Sequence, residues 1–298
     1  MQVTPHVYSV HVADTAAAHP GGSNIFFAGD PSEGMVIVDT GEQDREWTRQ
    51  ILDGYEELGR PKIIAIAITH AHGDHIGGLD RIFEVVQAPV RCHPKLVGRL
   101  GAVVGEDNVV KLKAGERIAA GGGVFLNAIF TPGHEEAHVC YYMARDRVMF
   151  TGDTVLGASS STVQNLADYM NSLEKLSRYR TEVICPGHGP VVPKPRGSRL
   201  ISWYIRHRNE REEQVLESLR KGIGDVGAMV RDIYPRNLNK GLRGAAARNV
   251  SAHLAKLVRE NKVEVEVRPA PLPGLVVGLG WQDAADDALL LGRVSSSH

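Results

Sequence analysis

Cysteine is scarce in this 298-residue chain: three residues, Cys92, Cys140 and Cys185, far apart and with no Cys-x-x-Cys pair. That excludes a disulfide framework and a thiolate metal knuckle, and leaves the three as small buried apolar residues of a reducing compartment. No apolar run is long enough to span a bilayer, so no membrane partner is expected. Met1–Val10 lacks a cationic start followed by an apolar run, and no Arg- and Ser-rich transit segment is visible. The expected location is therefore the cytoplasm, with a mitochondrial one left open because a processed form would look the same. Charge of one sign is lacking too: 34 Lys and Arg stand against 35 Asp and Glu, which gives no global pull toward nucleic acid. There is no repeat of solenoid period.

What is present is an ordinary globular composition, 43% apolar and 23% charged, in a length that suits a large domain plus a small one. The charge is unevenly spread. From Pro193 to Arg268 there are 17 Lys and Arg against 9 Asp and Glu, an excess that serves a polyanionic ligand or merely decorates helices. Apolar β-type runs at Val7–Val10, Asn24–Phe27, Met35–Val38, Lys62–Ile68, Val90–Cys92, Val124–Phe130, His138–Met143, Val148–Phe150 and Glu182–Cys185 predict strands. Helical spacing predicts helices over Glu46–Leu58, from near Gly78, and over Asn165–Tyr179. After Pro195 the texture changes. Helices are predicted over Leu200–Lys221, Val226–Tyr234 and Ala245–Arg259, then a strand Val263–Val267 pairing with Leu275–Leu279, which suits a small winged-helix-like module. The expected division is a domain over 1–195, a second over 196–282 and a fraying tail over 283–298. An apolar face on the C-terminal helices leaves a homodimer open.

The most informative stretch is Thr69-His70-Ala71-His72-Gly73-Asp74-His75, three imidazoles and a carboxylate directly after an apolar strand. Such ligands suit zinc, and also iron or manganese. His70 and His72, two apart in an extended segment, project to one side. A tight turn at Gly73 would send Asp74 and His75 toward a second position. Downstream, His134 follows Thr131-Pro132-Gly133, Asp153 follows Gly152, and His188 follows Pro186-Gly187, each a metal-competent side chain just past a predicted strand. Singly these are turn residues; together they predict a rigid dinuclear site built on strand ends.

His-x-His-x-Asp-His followed by single His, Asp and His at strand ends resembles the metallo-β-lactamase superfamily pattern, over roughly the first 190 residues. The resemblance implies an α/β, four-layer αββα sandwich with the small winged-helix-like domain appended. It implies that His70, His72 and His134 bind one zinc ion, that Asp74, His75 and His188 bind a second, and that Asp153 bridges them. Asp39, in Val-Asp-Thr-Gly, looks like the family's buried carboxylate that holds the metal loop from behind. Two cations about 3.5–4 Å apart share a water and lower its pKa, so a metal-bridging hydroxide attacks the substrate. Asp74 is the expected catalytic carboxylate, orienting that water and passing a proton to the leaving group.

The superfamily cleaves lactams, thioesters and phosphodiesters, so the fold leaves the substrate open. Without a secretory segment, a secreted β-lactamase is disfavoured, although promiscuous lactam turnover is not. About 35 residues separate Asp153 from His188, which leaves no room for the inserted domain of one RNA-processing branch. The runs Gly152-Asp153-Thr154-Val155-Leu156-Gly157, Asp168-Tyr169-Met170-Asn171-Ser172-Leu173, Pro186–Val191 and Arg206–Glu212 resemble the animal β-lactamase-like protein 2 group, endoribonucleases acting on single-stranded RNA. Fungal polyketide thioesterases share much of the pattern. Ala71 and Gly73 stand where the animal group has a Trp and an Arg, which opens the rim and removes one cation. The expected function is thus a two-metal endoribonuclease. The alternatives are a thioesterase or glyoxalase II-type hydrolase of small acyl thiols, and a nucleic-acid-binding protein with weak catalysis. Arg196, Arg199, Arg206, Arg208, Arg211, Arg243 and Arg248 are candidate phosphate contacts or helix-surface partners of Glu210, Glu212 and Glu213. Asn24, Ser160 and His207 are candidate substrate contacts. His253 is expected at the surface.

Overall fold

A computed structural model of the chain describes residues 1–13, 21–238, 240–269 and 288–294. They form two compact units, one of Met1–Ser161 with Asp168–Trp203 and the other of Thr162–Ala167 with Tyr204–His298.

The first unit holds two sheets. Seven strands, β1 (Gln2–Thr4), β2 (Val7–Val12), β3 (Ser23–Asp30), β4 (Gly34–Val38), β5 (Ile63–Ala67), β6 (Val90–Cys92) and β7 (Val109–Lys111), lie side by side in chain order. β1 to β4 are antiparallel neighbours and β4 to β7 are parallel. The crossovers are α1 (Arg45–Glu57), then α2 (Gly73–Ile76) with α3 (Leu79–Val86), then α4 (Val97–Val104). The second sheet runs β12 (Val183–Pro186), β11 (Val148–Gly152), β10 (Val139–Met143), β9 (Val124–Phe130), β8 (Arg117–Ala120), with only the β11–β12 pair parallel and α5 (Leu166–Ser177) between those two strands in sequence.

The central strands read as unbroken apolar runs because both of their faces are buried. Along β3 and β4, Ile25, Phe27, Met35 and Ile37 point to a core shared with Trp47 and Ile51 of α1 and Leu79 and Ile82 of α3. The alternate residues Phe26, Ala28, Val36 and Val38 meet Leu126, Ala128, Tyr141 and Phe150 of the second sheet. Phe26 and Phe150 touch edge to face across that layer, 5.5 Å between centroids. Cys92 lies in the first core and Cys185 in the second. Cys140, Tyr142, Met149 and Ile184, on the other face of the second sheet, are buried as well, as are Tyr169, Leu173 and Leu176 of α5. The result is the mixed α/β double-sheet sandwich anticipated from the sequence. α4, β7 and β8 were not anticipated.

The second unit is built on α6 (Gly197–Arg220), which begins in the first unit, α7 (Val226–Ile233) and α8 (Arg243–Arg259). Val215 and Leu219 of α6, Met229 and Val230 of α7, and Val250, Leu254 and Leu257 of α8 close one small core with Val263. The apolar helix face that left a dimer open is thus filled by the unit's own packing. β13 (Val263–Pro269) pairs antiparallel with β14 (Ala288–Val294). The expected partner, Leu275–Leu279, lies outside the described residues. One expectation is corrected: Ala288–Val294, within the tail over 283–298 expected to fray, is a paired strand. His253 is buried, not surface, with Nδ1 3.4 Å from Glu212. No helix among the described residues is long and apolar enough to cross a membrane.

Candidate metal centre

Five strand ends converge. β4 delivers Asp39, β5 runs on through Thr69 to His70, β9 leads to His134, β11 to Asp153 and β12 to His188. Backbone hydrogen bonds stitch these ends together: Val139 N to Thr69 O at 2.8 Å, Gly187 N to Gly152 O at 2.9 Å, and Asn24 N to Gly187 O at 2.8 Å. The turn at Gly133 has φ +138°, and a Cβ there would lie 2.4 Å from Tyr169 Cα, so only glycine lets α5 seat against it. Ser172 Oγ donates to Pro132 O from the same helix. The expected tight turn after His72 is the single-turn helix α2, with His72 as its N-cap residue.

Two groups of ligand atoms result. Those of His70, His72, His134 and Asp153 all lie within 4.8 Å of one another, as do those of Asp74, His75 and His188. Asp153 faces both. Its Oδ2 is 3.6 Å from His134 Nε2 and 4.0 Å from His70 Nε2, whereas its Oδ1 is 3.4 Å from both His75 Nε2 and His188 Nε2. Asp74 Oδ2 is 3.0 Å from His188 Nε2 and 3.6 Å from His75 Nε2.

Each imidazole is held by its other ring nitrogen. His70 Nδ1 bonds Thr69 Oγ1 at 3.0 Å, His134 Nδ1 bonds Ser161 Oγ at 3.3 Å, and His188 Nδ1 bonds Ser23 Oγ at 2.9 Å. His75 Nδ1 donates to Asp39 Oδ2 at 2.8 Å, and His72 Nε2 pairs with Glu135 Oε1 at 3.2 Å. Asp39 also accepts from Thr69 N and Thr69 Oγ1, so it ties the metal loop to β4 from a left-handed backbone, φ 62°. The free edges then face inward: His72 Nδ1 lies 3.0 Å from His70 Nε2 and 3.2 Å from His134 Nε2. Three nitrogen lone pairs aimed at one point repel unless a cation sits among them. His75 Nε2 and Asp153 Oδ1 are buried without a hydrogen-bond partner. Orphaned ligand atoms of this chemistry fit divalent metal, with oriented imidazoles behind each position.

The electrostatics agree. Burial would raise the Asp153 carboxyl, but the His75 and His188 imidazoles hold it well below the usual carboxylate range. Burial likewise opposes ionisation of Asp74, yet the hydrogen bond from His188 brings it down to about 2. His188 is desolvated, but Asp153 and Asp74 lift it to about 9. Burial pushes His70 well below its ordinary value. On the Asp74 side the carboxylates thus face imidazoles, His75 and His188, that they draw toward the charged form, whereas burial holds the His70 imidazole neutral.

The expected substrate contacts fare differently. Asn24 is buried, and its Nδ2 donates to Pro186 O and Gly189 O, so it clamps the turn that carries His188. Ser160 is exposed, while its neighbour Ser161 is buried, bonds His134 and donates to Asp153 O at 2.5 Å. His207 sits half-buried on α6 in the second unit, its pKa lowered by burial and by Arg208 and Arg211. His138, four after His134, is fully buried, and its Nε2 accepts from Asp153 N at 3.2 Å. Glu135, Ser23 and Ser161 were missed; the only signal was an acidic residue beside a strand-end histidine. Glu135 is drawn down to about 2 by its hydrogen bond with His72.

Residues 19–188 match the family model of the metallo-beta-lactamase superfamily, and residues 226–268 match that of the beta-lactamase associated winged helix domain. A beta-lactamase-like protein 2 homolog of Drosophila melanogaster is 31% identical over 89% of this chain and 91% of its own length. An atrochrysone carboxyl ACP thioesterase of Passalora fulva is 29% identical over 90% and 80%. Among solved structures, a metallo-beta-lactamase family protein from Thermus thermophilus superposes with a TM-score of 0.69 at 21% identity, covering 97% of this chain and 99% of its own.

Proposed function

The chain belongs to the metallo-β-lactamase superfamily of hydrolases, and on that premise we propose that it is a two-metal endoribonuclease cleaving phosphodiester bonds of single-stranded RNA. The observation that carries the two-metal reading is Asp153, one carboxylate with an oxygen turned to each ligand group. His70, His72 and His134 complete one position; Asp74, His75 and His188 complete the other. Zinc suits the set, and with Cys185 buried between the sheets and no thiolate in either ligand group, iron or manganese suits it too. Divalent cations held by these residues would lower the pKa of a bound water and polarise the substrate oxygen.

The protein's own groups do the rest. Thr69, Ser161, Ser23, Asp39 and Glu135 fix the tautomer and tilt of each imidazole, so no reorganisation is needed as charge grows on the substrate. Asp74, beside His188, accepts the hydrogen bond of the attacking water and returns a proton to the leaving oxygen. RNA is favoured as substrate by the likeness to the β-lactamase-like protein 2 group over most of the chain, and by the arginine-rich winged-helix unit. The fungal thioesterase relative supports a second reading, hydrolysis of an acyl thiol.

The deciding experiment assays metal-loaded protein on a 5′-labelled single-stranded oligoribonucleotide beside an acyl-thiol panel and a chromogenic lactam, across a salt series. RNA cleavage that falls steeply with salt and stops on chelation is expected. Intact RNA with salt-insensitive acyl-thiol turnover would establish the second reading instead, and turnover that survives metal stripping would overturn both.

A further inference from the structure

We propose that Arg231, Arg236 and Arg243 form a phosphate-binding pocket in the winged-helix unit that takes the backbone of single-stranded RNA; the choice of RNA rests on the function proposed above. The three guanidinium groups line a cavity of about 330 Å³ with Tyr234, over an apolar floor that includes Val230 and Leu238. They reach it from α7, from the turn after it and from the first residue of α8. Among the described residues, no acidic one lines it. The adjacent acid, Asp232, is engaged by Ser218 at 2.8 Å and by Lys221 at 3.2 Å.

Other arginines of this unit are occupied. Arg208, a candidate phosphate contact by sequence, is buried and donates to Asn249. Arg220 pairs with Glu213 and Glu217. Arg211 lies over the Tyr234 ring, 4.1 Å from its centroid, and adds a fourth cation close to the cavity wall. Arg231, Arg236 and Arg243, by contrast, are exposed and make no ion pair or hydrogen bond among the described residues. α8 starts at Arg243 with no side-chain cap and no acid in its first turn, so a cation stands at the positive end of a helix, where it destabilises. Three unneutralised guanidiniums around one concavity repel each other; a phosphate offers each a charge-assisted, two-pronged partner and removes the repulsion. The sequence singled out Arg243 alone of the three.

The test uses full-length, metal-loaded protein and an Arg231→Gln/Arg236→Gln/Arg243→Gln variant whose thermal midpoint matches the parent. On a labelled single-stranded oligoribonucleotide, the variant should show KM raised at least about tenfold with kcat within about twofold. The slope of log(kcat/KM) against log salt should flatten by about two, while a small chromogenic phosphodiester is hydrolysed as before. Unchanged KM and salt slope overturn the pocket. If the parent leaves RNA uncut, the proposed function fails on its own, and anisotropy of the same labelled strand reads the pocket directly: binding weakened at least about tenfold in the variant supports it, and equal binding or none overturns it. Lysine at the three positions should restore the salt slope but not the full affinity, because a point charge lacks the fork.

Discussion

Asp153 gives one carboxylate oxygen to each of two ligand groups, and no other side chain could be exchanged there without unbalancing both. Asp153→Asn replaces one acceptor by an amide that donates hydrogen toward a cation site. We expect activity to fall at least about 100-fold and bound metal to drop below two equivalents by elemental analysis. Glu135 acts through His72. Glu135→Gln keeps the shape and removes the charge, so metal affinity measured by chelator competition should weaken about tenfold, with Glu135→Ala weaker again. An unchanged affinity in both would make Glu135 a bystander. The seven residues of the two groups were legible in the sequence because histidine and aspartate beside turn residues at strand ends have few other uses. Glu135, Ser23 and Ser161 were not, since a single hydroxyl or carboxylate bonding a ring nitrogen leaves no spacing behind it. The clamping role of Asn24 was hidden for a related reason: an amide in a glycine-rich loop reads as exposed until the backbone carbonyls it satisfies are seen.

At the scale of elements, the strands were legible wherever both faces are buried, as in β4 and β5, because unbroken β-branched runs admit little else. α4 was not. Val-Gly-Arg-Leu-Gly-Ala-Val-Val holds two glycines in eight residues, which masks its helical period until Leu100 is seen in the core. β8 is four residues with two alanines on one edge of its sheet, too short to announce itself. The β9 turn that presents His134 depends on α5 lying against Gly133. Gly133→Ala would force a Cβ into the Tyr169 backbone and should cost about 2–4 kcal/mol in urea unfolding, with His134 displaced. In the second unit Glu212 joins α6 to α8 through His253 and Lys256. Burial opposes its ionisation, yet His253 and Lys256 lower it to about 2, below the ordinary carboxylate value. A carboxyl lowered on folding stabilises above its unfolded pKa and loses that contribution as pH falls toward the folded one. The thermal midpoint should therefore decline between about pH 4.5 and pH 2, and Glu212→Gln should flatten that part of the curve.

For the whole molecule, the near-neutral net charge concealed an arginine excess in the C-terminal part. The helices of that part were legible from their period. The partner strand of β13 was not, because 18 positions separate it from β14 in sequence, and so long a separation gives no register by which to align the two. In the first unit, ligands from distant strand ends meet at one edge, so a bound cation cross-links segments more than a hundred residues apart in sequence. Chelation should lower the thermal midpoint of the intact protein, and added zinc should restore it by mass action. A midpoint indifferent to chelator would argue against occupancy.

The three cysteines, described above as packing residues, make the protein report on its own breathing. Cys92, Cys140 and Cys185 each occupy a different apolar layer, and burial lifts Cys92 to about 12 and Cys140 to about 11, with Cys185 higher still. None can meet an alkylating reagent as a thiolate while its layer is closed. The rate at which each is modified therefore times the opening of its own layer, a three-channel clock already in place without any label being engineered.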